Sequence, residues 1–234
     1  LGDVYKRQEL LRELCKLDFT WIRLHYLYPE WIDDRLIDVI AREDKILKYL
    51  DIPLQHCNDK ILKKMNRRGD KKYLCALLDK LRERIPGLVL RTSIIAGLPG
   101  EGEEEFDELC DFLREQKLLR AGVFPYSPEE GTRAAKMERV DSDEAARRAE
   151  RIVDIQSEII DAWNDERQGD VMEVLCEGFD GQSMLFVGRS YAESPDIDGR
   201  IYFSAPRDVA AGEFVPVRIT GAMDGELTGE LAEE

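Results

Sequence analysis

The sequence predicts an α/β fold in two parts, a piece of an open (β/α) barrel followed by a small all-β barrel. Two observations lead to this prediction. Residues 1–168 alternate short apolar runs with amphipathic helical stretches, which is the pattern of βαβ units and a parallel sheet. Residues 169–234 carry five short apolar runs separated by turn signals. The chain of 234 residues has room for both domains, and we place their boundary at 168–170.

Four apolar runs in the first part are predicted to be strands. They cover residues 21–27, 49–54, 88–95 and 119–125. Because crossovers between parallel strands are right-handed, the carboxyl ends of all four strands lie along one edge of the sheet. Polar and aromatic residues interrupt the strands at that edge, so we look for the functional site there. Four strands are too few to close a barrel.

Helices are predicted between and after these strands. Asp33 and Asp34 can cap a helix whose apolar stripe starts at Leu36. Asp141 and Glu144 have the spacing of a capping box, which opens a long helix that ends before Gly169. The other helical stretches cover residues 60–65, 70–84 and 103–116.

The second part is predicted to be a closed barrel of five antiparallel strands. These cover residues 171–177, 184–189, 200–203, 214–219 and 226–231. Asp-Gly pairs at 180–181, 198–199 and 224–225 supply turn signals between them. Closure into a barrel leaves no exposed strand edge, which favours this arrangement for so many short strands.

The charge of the chain is strongly negative and unevenly spread. The net charge is −15, of which residues 170–234 contribute −10 with four arginines and no lysine. Such a surface repels phosphate backbones and suits a basic protein partner, although solubility alone also explains it. No apolar window is long enough to span a membrane and no signal peptide is visible, so we expect a cytoplasmic protein that uses no membrane.

The five cysteines are scattered at positions 15, 57, 75, 110 and 176, without a CxxC or CxxxC pair. An odd and scattered set is typical of a reducing compartment, and it predicts no metal ligand in this chain. His25 and His56 are the only histidines, so neither a catalytic triad nor a histidine metal set can be built. No catalytic side chain is assigned.

Three features of the first part, two of them at the predicted carboxyl edge, are candidate ligand contacts. The turn at residues 97–102 has the spacing GxxGxG, which does not match a phosphate loop, and the glutamates after it favour a neutral or cationic ligand. Arg91 lies in the middle of a strand, where it forms either a salt bridge or a clamp for a ligand carboxylate. Gln55 and His56 end another strand and are either structural or ligand-facing.

Five segments, in this order, resemble the radical-SAM methylthiotransferases, and among these the branch that modifies a ribosomal protein. They are WIRLHYLYP at 21–29, DIPLQHCNDKILKKMNRR at 51–68, RTSIIAGLPGEGEEEF at 91–106, GVFPYSPEEGT at 122–132 and GRSYAESPDIDGRIYF at 188–203. The resemblance implies that residues 1–168 hold the later strands of a radical-SAM barrel and residues 169–234 a TRAM domain. It further implies a parent enzyme with two 4Fe-4S clusters, whose ligands lie upstream of Leu1, so we expect this chain to be a C-terminal piece without radical chemistry of its own.

The resemblance also assigns residues to the binding of S-adenosylmethionine (SAM). Gln55 would face its ribose or methionyl part, Arg91 its carboxylate, and the turn after the third strand its adenosyl group. The implied cofactor-binding residues are Gln55, Arg91, Gly97, Pro99, Gly100, Glu101 and Tyr126.

The implied reaction adds a methylthio group to the β-carbon of an aspartate in ribosomal protein twelve of the small subunit. This protein would dock on the acidic TRAM domain, without direct contact to nucleic acid, and a flavodoxin or ferredoxin would supply electrons to the parent enzyme. Two alternatives stay open: a tRNA-modifying methylthiotransferase, which the acidic residues 170–234 disfavour, and a non-catalytic binding module.

Overall fold

A computed structural model describes residues 2–232 and divides into two compact units after Gln156. The first unit contains four strands and five helices, and a long sixth helix begins in it. They are α1 (Gly2–Cys15), β1 (Ile22–Leu24), α2 (Asp34–Arg42), β2 (Ile46–Asp51), α3 (Asp59–Lys64), α4 (Lys71–Arg84), β3 (Val89–Ala96), α5 (Glu103–Gln116), β4 (Arg120–Pro125) and α6 (Ser142–Glu166). None of the helices in the described part of the chain is both long and apolar enough to cross a membrane.

The four strands form one open parallel sheet in the order β1-β2-β3-β4, as predicted. Right-handed crossovers place the connecting helices on one face of such a sheet. The helices contact one another there: Arg84 of α4 pairs with Asp38 of α2, and Arg82 donates to Gln116 at the end of α5. The opposite face of the sheet is left for the functional site.

The predicted helices form with the caps that their sequences indicate, except that the predicted capping box forms only at Asp141, because Glu144 pairs with two arginines instead. Asp33 accepts a hydrogen bond from the Leu36 N–H at 2.8 Å, and Asp70 accepts one from the Tyr73 N–H at 2.8 Å. Asp141 accepts one from the Asp143 N–H at 2.8 Å, while the Glu144 carboxylate accepts from Arg147 and Arg148. Each cap satisfies a backbone donor that the first helical turn leaves open.

Two strands differ from their predicted limits. The first was expected at 21–27 but ends at Leu24, because the backbone reaches a left-handed conformation at Tyr26 (φ 57°). The second was expected at 49–54 but covers Ile46–Asp51. Its polar residue Lys48 donates from Nζ to carbonyl oxygens at the end of α2, including Glu43 O at 3.0 Å, so a lysine fits within this buried strand.

The second unit is a closed barrel of five strands in the order β5-β6-β7-β9-β8, which confirms the predicted fold class. The prediction that all five strands are antiparallel is wrong, because β7 and β9 pair in parallel. Its strands are β5 (Val171–Asp180), β6 (Leu185–Arg189), β7 (Ile201–Ser204), β8 (Phe214–Met223) and β9 (Glu226–Leu231). Asp224 (φ 52°) and Gly225 (φ 79°) join the last two strands in the left-handed conformation of a tight hairpin turn. The core contains Val174, Phe203, Val215 and Ile219, with Trp163 packed against it.

Candidate functional site

The open face of the sheet carries polar residues on three neighbouring strands. The register pairs Asp51 with Arg91 and Arg91 with Arg120, and paired residues of parallel strands point to the same face. Along β3 the half-buried positions Arg91, Ser93 and Ile95 alternate with fully buried ones. A face with several polar residues on otherwise apolar strands indicates a binding site rather than a packing surface.

Asp51 and Arg91 form an ion pair on this face. Arg91 Nη1 lies 3.0 Å from Asp51 Oδ1, and His25 Nδ1 lies 3.8 Å from the other carboxylate oxygen. The Asp51 side chain is 2% exposed and that of Arg91 13%. The salt-bridge alternative for Arg91 is therefore realised within the chain. The pair also presents both charges that a zwitterionic amino acid group requires, a guanidinium and a carboxylate.

Gln55 connects the end of β2 to β3 in a strained conformation. Its φ is 68°, its N–H donates to Ser93 O at 2.8 Å, and its carbonyl accepts from the Ile95 N–H at 3.0 Å. The side-chain oxygen accepts from Arg67 Nε at 3.0 Å. A left-handed non-glycine residue held by two backbone bonds is typical of a functional loop.

The turn after β3 requires glycine at two positions. Gly97 (φ 81°) packs so closely that an added Cβ would lie 2.5 Å from Ala145 Cβ. Gly100 (φ 87°) lies directly under the ammonium group of Lys64, where a Cβ would overlap it. Both residues have backbone conformations that are open to glycine and costly for other residues.

A buried carboxylate, Glu101, holds this turn in place. Its Oε1 accepts from the Gly97 N–H at 2.9 Å and from Arg148 Nη1 at 2.9 Å, and its Oε2 lies 3.3 Å from His56 Nε2. The Asn58 N–H donates to His56 Nδ1 at 3.0 Å, which places the ring proton on Nε2, toward Glu101. Burial raises the pKa of the Glu101 carboxyl, but the hydrogen bonds from His56, Arg148 and Gly97 outweigh burial and bring this pKa below its usual value.

Arg148 of α6 is the residue of this network that sequence reasoning missed. Its side chain is 4% exposed and also donates from Nη2 to Glu103 at 2.6 Å and from Nε to Glu144 at 2.9 Å. The sequence does contain a signal, because position 148 lies on the apolar stripe of the helix, between Ala145 and Ile152. A charged residue on such a stripe is buried only when it has partners.

Tyr126 follows β4 at the same edge. Its N–H donates to Ala96 O at 2.8 Å, so the residue continues the pairing of the sheet. Its hydroxyl oxygen is buried and has no hydrogen-bond partner among the residues that the structure describes. A buried hydroxyl without a partner costs free energy unless a ligand or water supplies the bond.

Gly122 of β4 has no side chain, which keeps space open beside Arg91. A Cβ built on Gly122 would lie 3.3 Å from Arg91 Nη2 and 3.2 Å from the Phe124 ring. The predicted site residues therefore fall into three groups. Arg91 lies in the amino half of β3, Gln55 and Tyr126 lie beyond the carboxyl ends of β2 and β4, and Gly97, Pro99, Gly100 and Glu101 form the turn after β3.

The cysteines do not form a cluster in the described chain. Within residues 6–232 the structure brings no three Cys, His, Asp or Glu side chains into a metal-binding arrangement. Cys57, Cys110 and Cys176 are buried, and burial raises the pKa of each of these thiols. Thiols in such surroundings are inert structural residues.

Two families match the chain in the order that the fold shows. The radical SAM superfamily matches residues 3–113 and the TRAM domain matches residues 169–232. Coproporphyrinogen III oxidase (HemN) from Escherichia coli, described as a radical SAM enzyme, is similar in structure with a TM-score of 0.54, at 21% identity over 68% of this chain and 37% of its own. This likeness concerns the fold alone.

Curated relatives match almost the whole chain. It is 45% identical to the ribosomal protein uS12 methylthiotransferase RimO of Symbiobacterium thermophilum, with 99% of this chain and 49% of that protein covered. The enzyme of the same name from Acetivibrio thermocellus is 44% identical over 98% of this chain and 51% of its own length. The chain thus spans about half the length of these relatives. Both family matches and both relatives agree with the resemblance seen in the sequence, and the chain belongs to the radical-SAM methylthiotransferase family.

Proposed function

We propose that this chain forms part of a methylthiotransferase that adds a methylthio group to the β-carbon of an aspartate in ribosomal protein uS12. The names of the relatives at 44 and 45% identity support this substrate. The structural observation that carries the proposal is the Asp51–Arg91 ion pair on the open face of the sheet, and the buried Tyr126 hydroxyl without a partner among the described residues supports it.

The residues present fit SAM as that ligand. Arg91 would bind the methionine carboxylate, and Asp51, its ion-pair partner, would accept from the ammonium group. Gln55 and Tyr126 would hydrogen bond to the ribose or adenine, which would satisfy the unpartnered Tyr126 hydroxyl. Gly97, Pro99 and Gly100 would pass beside the adenosyl group.

Glu101 has a different part in this proposal. Its carboxylate accepts from Arg148 and Gly97 and lies beside His56, so it would fix the shape of the turn, while its backbone would border the ligand. SAM and two 4Fe-4S clusters, when bound, supply the radical that removes a hydrogen from the substrate and the sulfur that replaces it. None of the five cysteines of this chain is assigned as a cluster ligand.

The second domain is proposed to begin at 169, after α6, and to bind uS12 through its acidic surface. Residues 170–234 carry a net charge of −10, which attracts a basic protein and repels a phosphate backbone. A cytoplasmic location and reduction by a flavodoxin or ferredoxin belong to the same proposal.

The fit to SAM can be tested by calorimetry with the 234-residue chain and the variants Arg91→Ala and Arg114→Ala. Loss of the Arg91 fork should weaken SAM binding by about ten-fold or more, since a hydrogen bond to a charged group contributes about 1.5–3 kcal/mol. Arg114 is an exposed arginine of α5, and its variant should bind SAM as the unchanged chain does. Equal affinity of all three proteins would contradict the proposed site.

The substrate is tested separately with the longest natural form of the protein, reconstituted with iron and sulfide without oxygen. Mass spectrometry of uS12 and of tRNA after reaction should find the methylthio group on a uS12 aspartate. Its appearance on tRNA alone would instead support the tRNA-modifying alternative.

A further inference from the structure

We propose that a basic surface on α3 and the start of α4, next to the candidate site, binds RNA. The name basic surface refers here to seven side chains: Lys60, Lys63, Lys64, Arg67, Arg68, Lys71 and Lys72. The proposal goes beyond the proposed function, which concerns a protein substrate, and it departs from the expectation that the chain makes no contact with nucleic acid.

The basic surface stands out because the rest of the chain is acidic. Residues 60–72 contain seven Lys or Arg and one Asp, a net charge of +6 in a chain of net charge −15. Lys63, Arg68 and Lys72 are exposed, and none of them has an acidic partner in the part of the chain that the structure describes. Lys60 and Lys71 pair with Glu105 and Glu108 of α5, so the other five cations make up the positive charge of this surface. In an acidic protein, such a cluster is an attractive site for a polyanion.

A groove runs along the basic surface, with cations on both of its walls. It has a volume of about 810 Å³. Lys60, Lys63 and Lys64 line one wall and Arg133 the other, while Met65 and Met137 add apolar area. A phosphodiester chain carries negative charge along its length and contacts both walls of such a groove, with the apolar area left for sugars and bases.

An exposed aromatic residue, Tyr28, adjoins the basic surface at Arg67, and the segment around it exposes further aromatic rings. Arg67 lies over the Tyr28 ring at 5.3 Å, and the Tyr73 hydroxyl donates to Pro29 O at 3.0 Å. Tyr26 is 75% exposed, Tyr28 47% and Trp31 44%. Aromatic faces beside lysines and arginines are the arrangement by which proteins stack unpaired bases while they hold the backbone.

This combination favours RNA over an acidic protein as the partner. Carboxylates on a folded protein surface would pair with the outer lysines, but they would use neither the far wall of the groove nor the aromatic rings. Bases and phosphates together use all three features.

The position of the surface also matters, because it contacts two residues of the candidate site: Arg67 donates to Gln55, and Lys64 packs on Gly100. RNA bound here would lie beside the reacting substrate, as expected for a protein substrate that is part of a ribonucleoprotein.

The test uses fluorescence anisotropy with the 234-residue chain and a labelled single-stranded RNA of mixed sequence. The charge-reversal variant is Lys63→Glu/Arg68→Glu/Lys72→Glu, which leaves Arg67 and Lys64 in place. Its matched control is Lys16→Glu/Arg114→Glu/Lys117→Glu, three exposed cations elsewhere on the same unit. Circular dichroism checks that both variants are folded.

We expect the charge-reversal variant to lose RNA affinity by about ten-fold or more and the control to lose far less. The slope of log K against log salt should fall by about 2 if three phosphate contacts are lost, at roughly 0.7 per contact for a single strand. Equal loss in both variants, or no loss in either, would overturn the proposal.

Two further measurements decide the kind of partner. Tyr28→Leu should weaken RNA binding by about ten-fold through loss of stacking and should leave the binding of polyglutamate unchanged. If polyglutamate instead competes as well as RNA and Tyr28→Leu has no effect, the surface binds acidic proteins and the RNA proposal is wrong. RNA from the neighbourhood of uS12 in the small subunit and free tRNA are compared as two sources, and tighter binding of either one supports the RNA surface and identifies its source. These outcomes do not depend on methylthio transfer, which is measured separately on isolated uS12.

Discussion

The residues that hold the candidate site together are buried ions, and their partners come from distant parts of the chain. Glu101 is bound by His56 from the end of β2, Gly97 from the same turn and Arg148 from α6. Removing one member of such a set leaves another charge buried without a partner, which costs far more than the net contribution of the pair. Arg148 donates hydrogen bonds to Glu101, Glu103 and Glu144, so its removal should destabilise the set more than the removal of any other member.

Substitution of Arg148 should therefore destabilise the first unit strongly. We expect Arg148→Ala to lower the free energy of unfolding by about 3–5 kcal/mol, because Glu101 then stays buried without its guanidinium. The neighbouring Arg147 is 65% exposed and pairs only with Glu144 among the bonds described, so Arg147→Ala should cost about 0.5 kcal/mol or less. Urea unfolding followed by circular dichroism gives both values. Similar losses in the two variants would refute the role assigned to Arg148.

The predicted contacts and the observed ones agree only in part at this scale. Gln55, Arg91 and the glycine turn were visible in the sequence because each interrupts or ends an apolar strand. The partners of these residues were not, because Asp51 with Arg91, and Glu101 with Arg148, are brought together by the fold over 40 and 47 positions. Pairing over such distances depends on strand register and helix placement, which local patterns do not specify.

At the scale of elements, periodicity and caps predicted most of the chain. Helix α5 was expected at 103–116 and covers Glu103–Gln116, since a glycine and three glutamates mark its start. The predicted strands were less accurate where side chains have a second use. The second strand was predicted to start at residue 49, yet it includes Lys48, which donates to the carbonyl groups at the end of α2. Tyr26 was read as part of a strand, yet its φ of 57° ends the extended backbone.

Three glycines with similar backbone conformations allow conformational strain to be separated from steric clash. Gly97, Gly100 and Gly131 have φ values of 81°, 87° and 84°. An alanine at Gly131 meets no atom within 4 Å, at Gly100 it displaces the flexible end of Lys64, and at Gly97 it meets Ala145 on α6.

We expect the loss of stability to rise in the order Gly131→Ala, Gly100→Ala, Gly97→Ala. The first should cost about 1 kcal/mol, which is the price of the left-handed conformation alone, and the last about 1–3 kcal/mol more through overpacking. Urea midpoints of the three variants give the order. If Gly97→Ala were as stable as Gly131→Ala, the turn would be able to move away from Ala145 without a loss of stability, and the predicted order would be wrong.

For the whole molecule, the change of hydrophobic period near Gly169 was enough to predict two kinds of architecture. Alternating strands and helices specified a parallel sheet, and five short strands with Asp-Gly turns specified a barrel, both as observed. The net charge of −15 was less informative, because it averages an acidic second domain with the basic residues 60–72. A sum over the chain cannot show where the charges of a folded protein meet.

Each compact unit has its own core, so damage to one core should be visible locally. Phe203 is fully buried in the barrel, and Phe203→Ala should cost about 3–5 kcal/mol there. Trp163 packs against that core, whereas Trp31 belongs to the first unit. The measurement uses proteins that keep only one tryptophan, either Trp163 or Trp31. In these proteins, Phe203→Ala should lower the urea midpoint of the transition reported by Trp163 and leave that reported by Trp31 unchanged.

The control for this prediction is Phe179→Ala, at a barrel residue that is 53% exposed and stacks edge-on with Phe186. It should lower the stability reported by Trp163 by about 1 kcal/mol. A shift of the Trp31 transition by Phe203→Ala as large as that of Trp163 would mean that the two units unfold together.

The two sheets also differ in how readily their edge strands can pair with a second copy of the protein. In the described residues of this 234-residue chain, the barrel closes on itself and offers no free row of backbone donors and acceptors, whereas β1 and β4 are the outer strands of the parallel sheet. A free edge invites pairing between molecules, and short strands and proline are the usual protection. β1 has only three residues and β4 ends at Pro125, so the first unit carries both protections. At high concentration or during refolding, self-association should therefore start from the sheet of the first unit, and lengthening β1 or replacing Pro125 would make the protein more prone to aggregate.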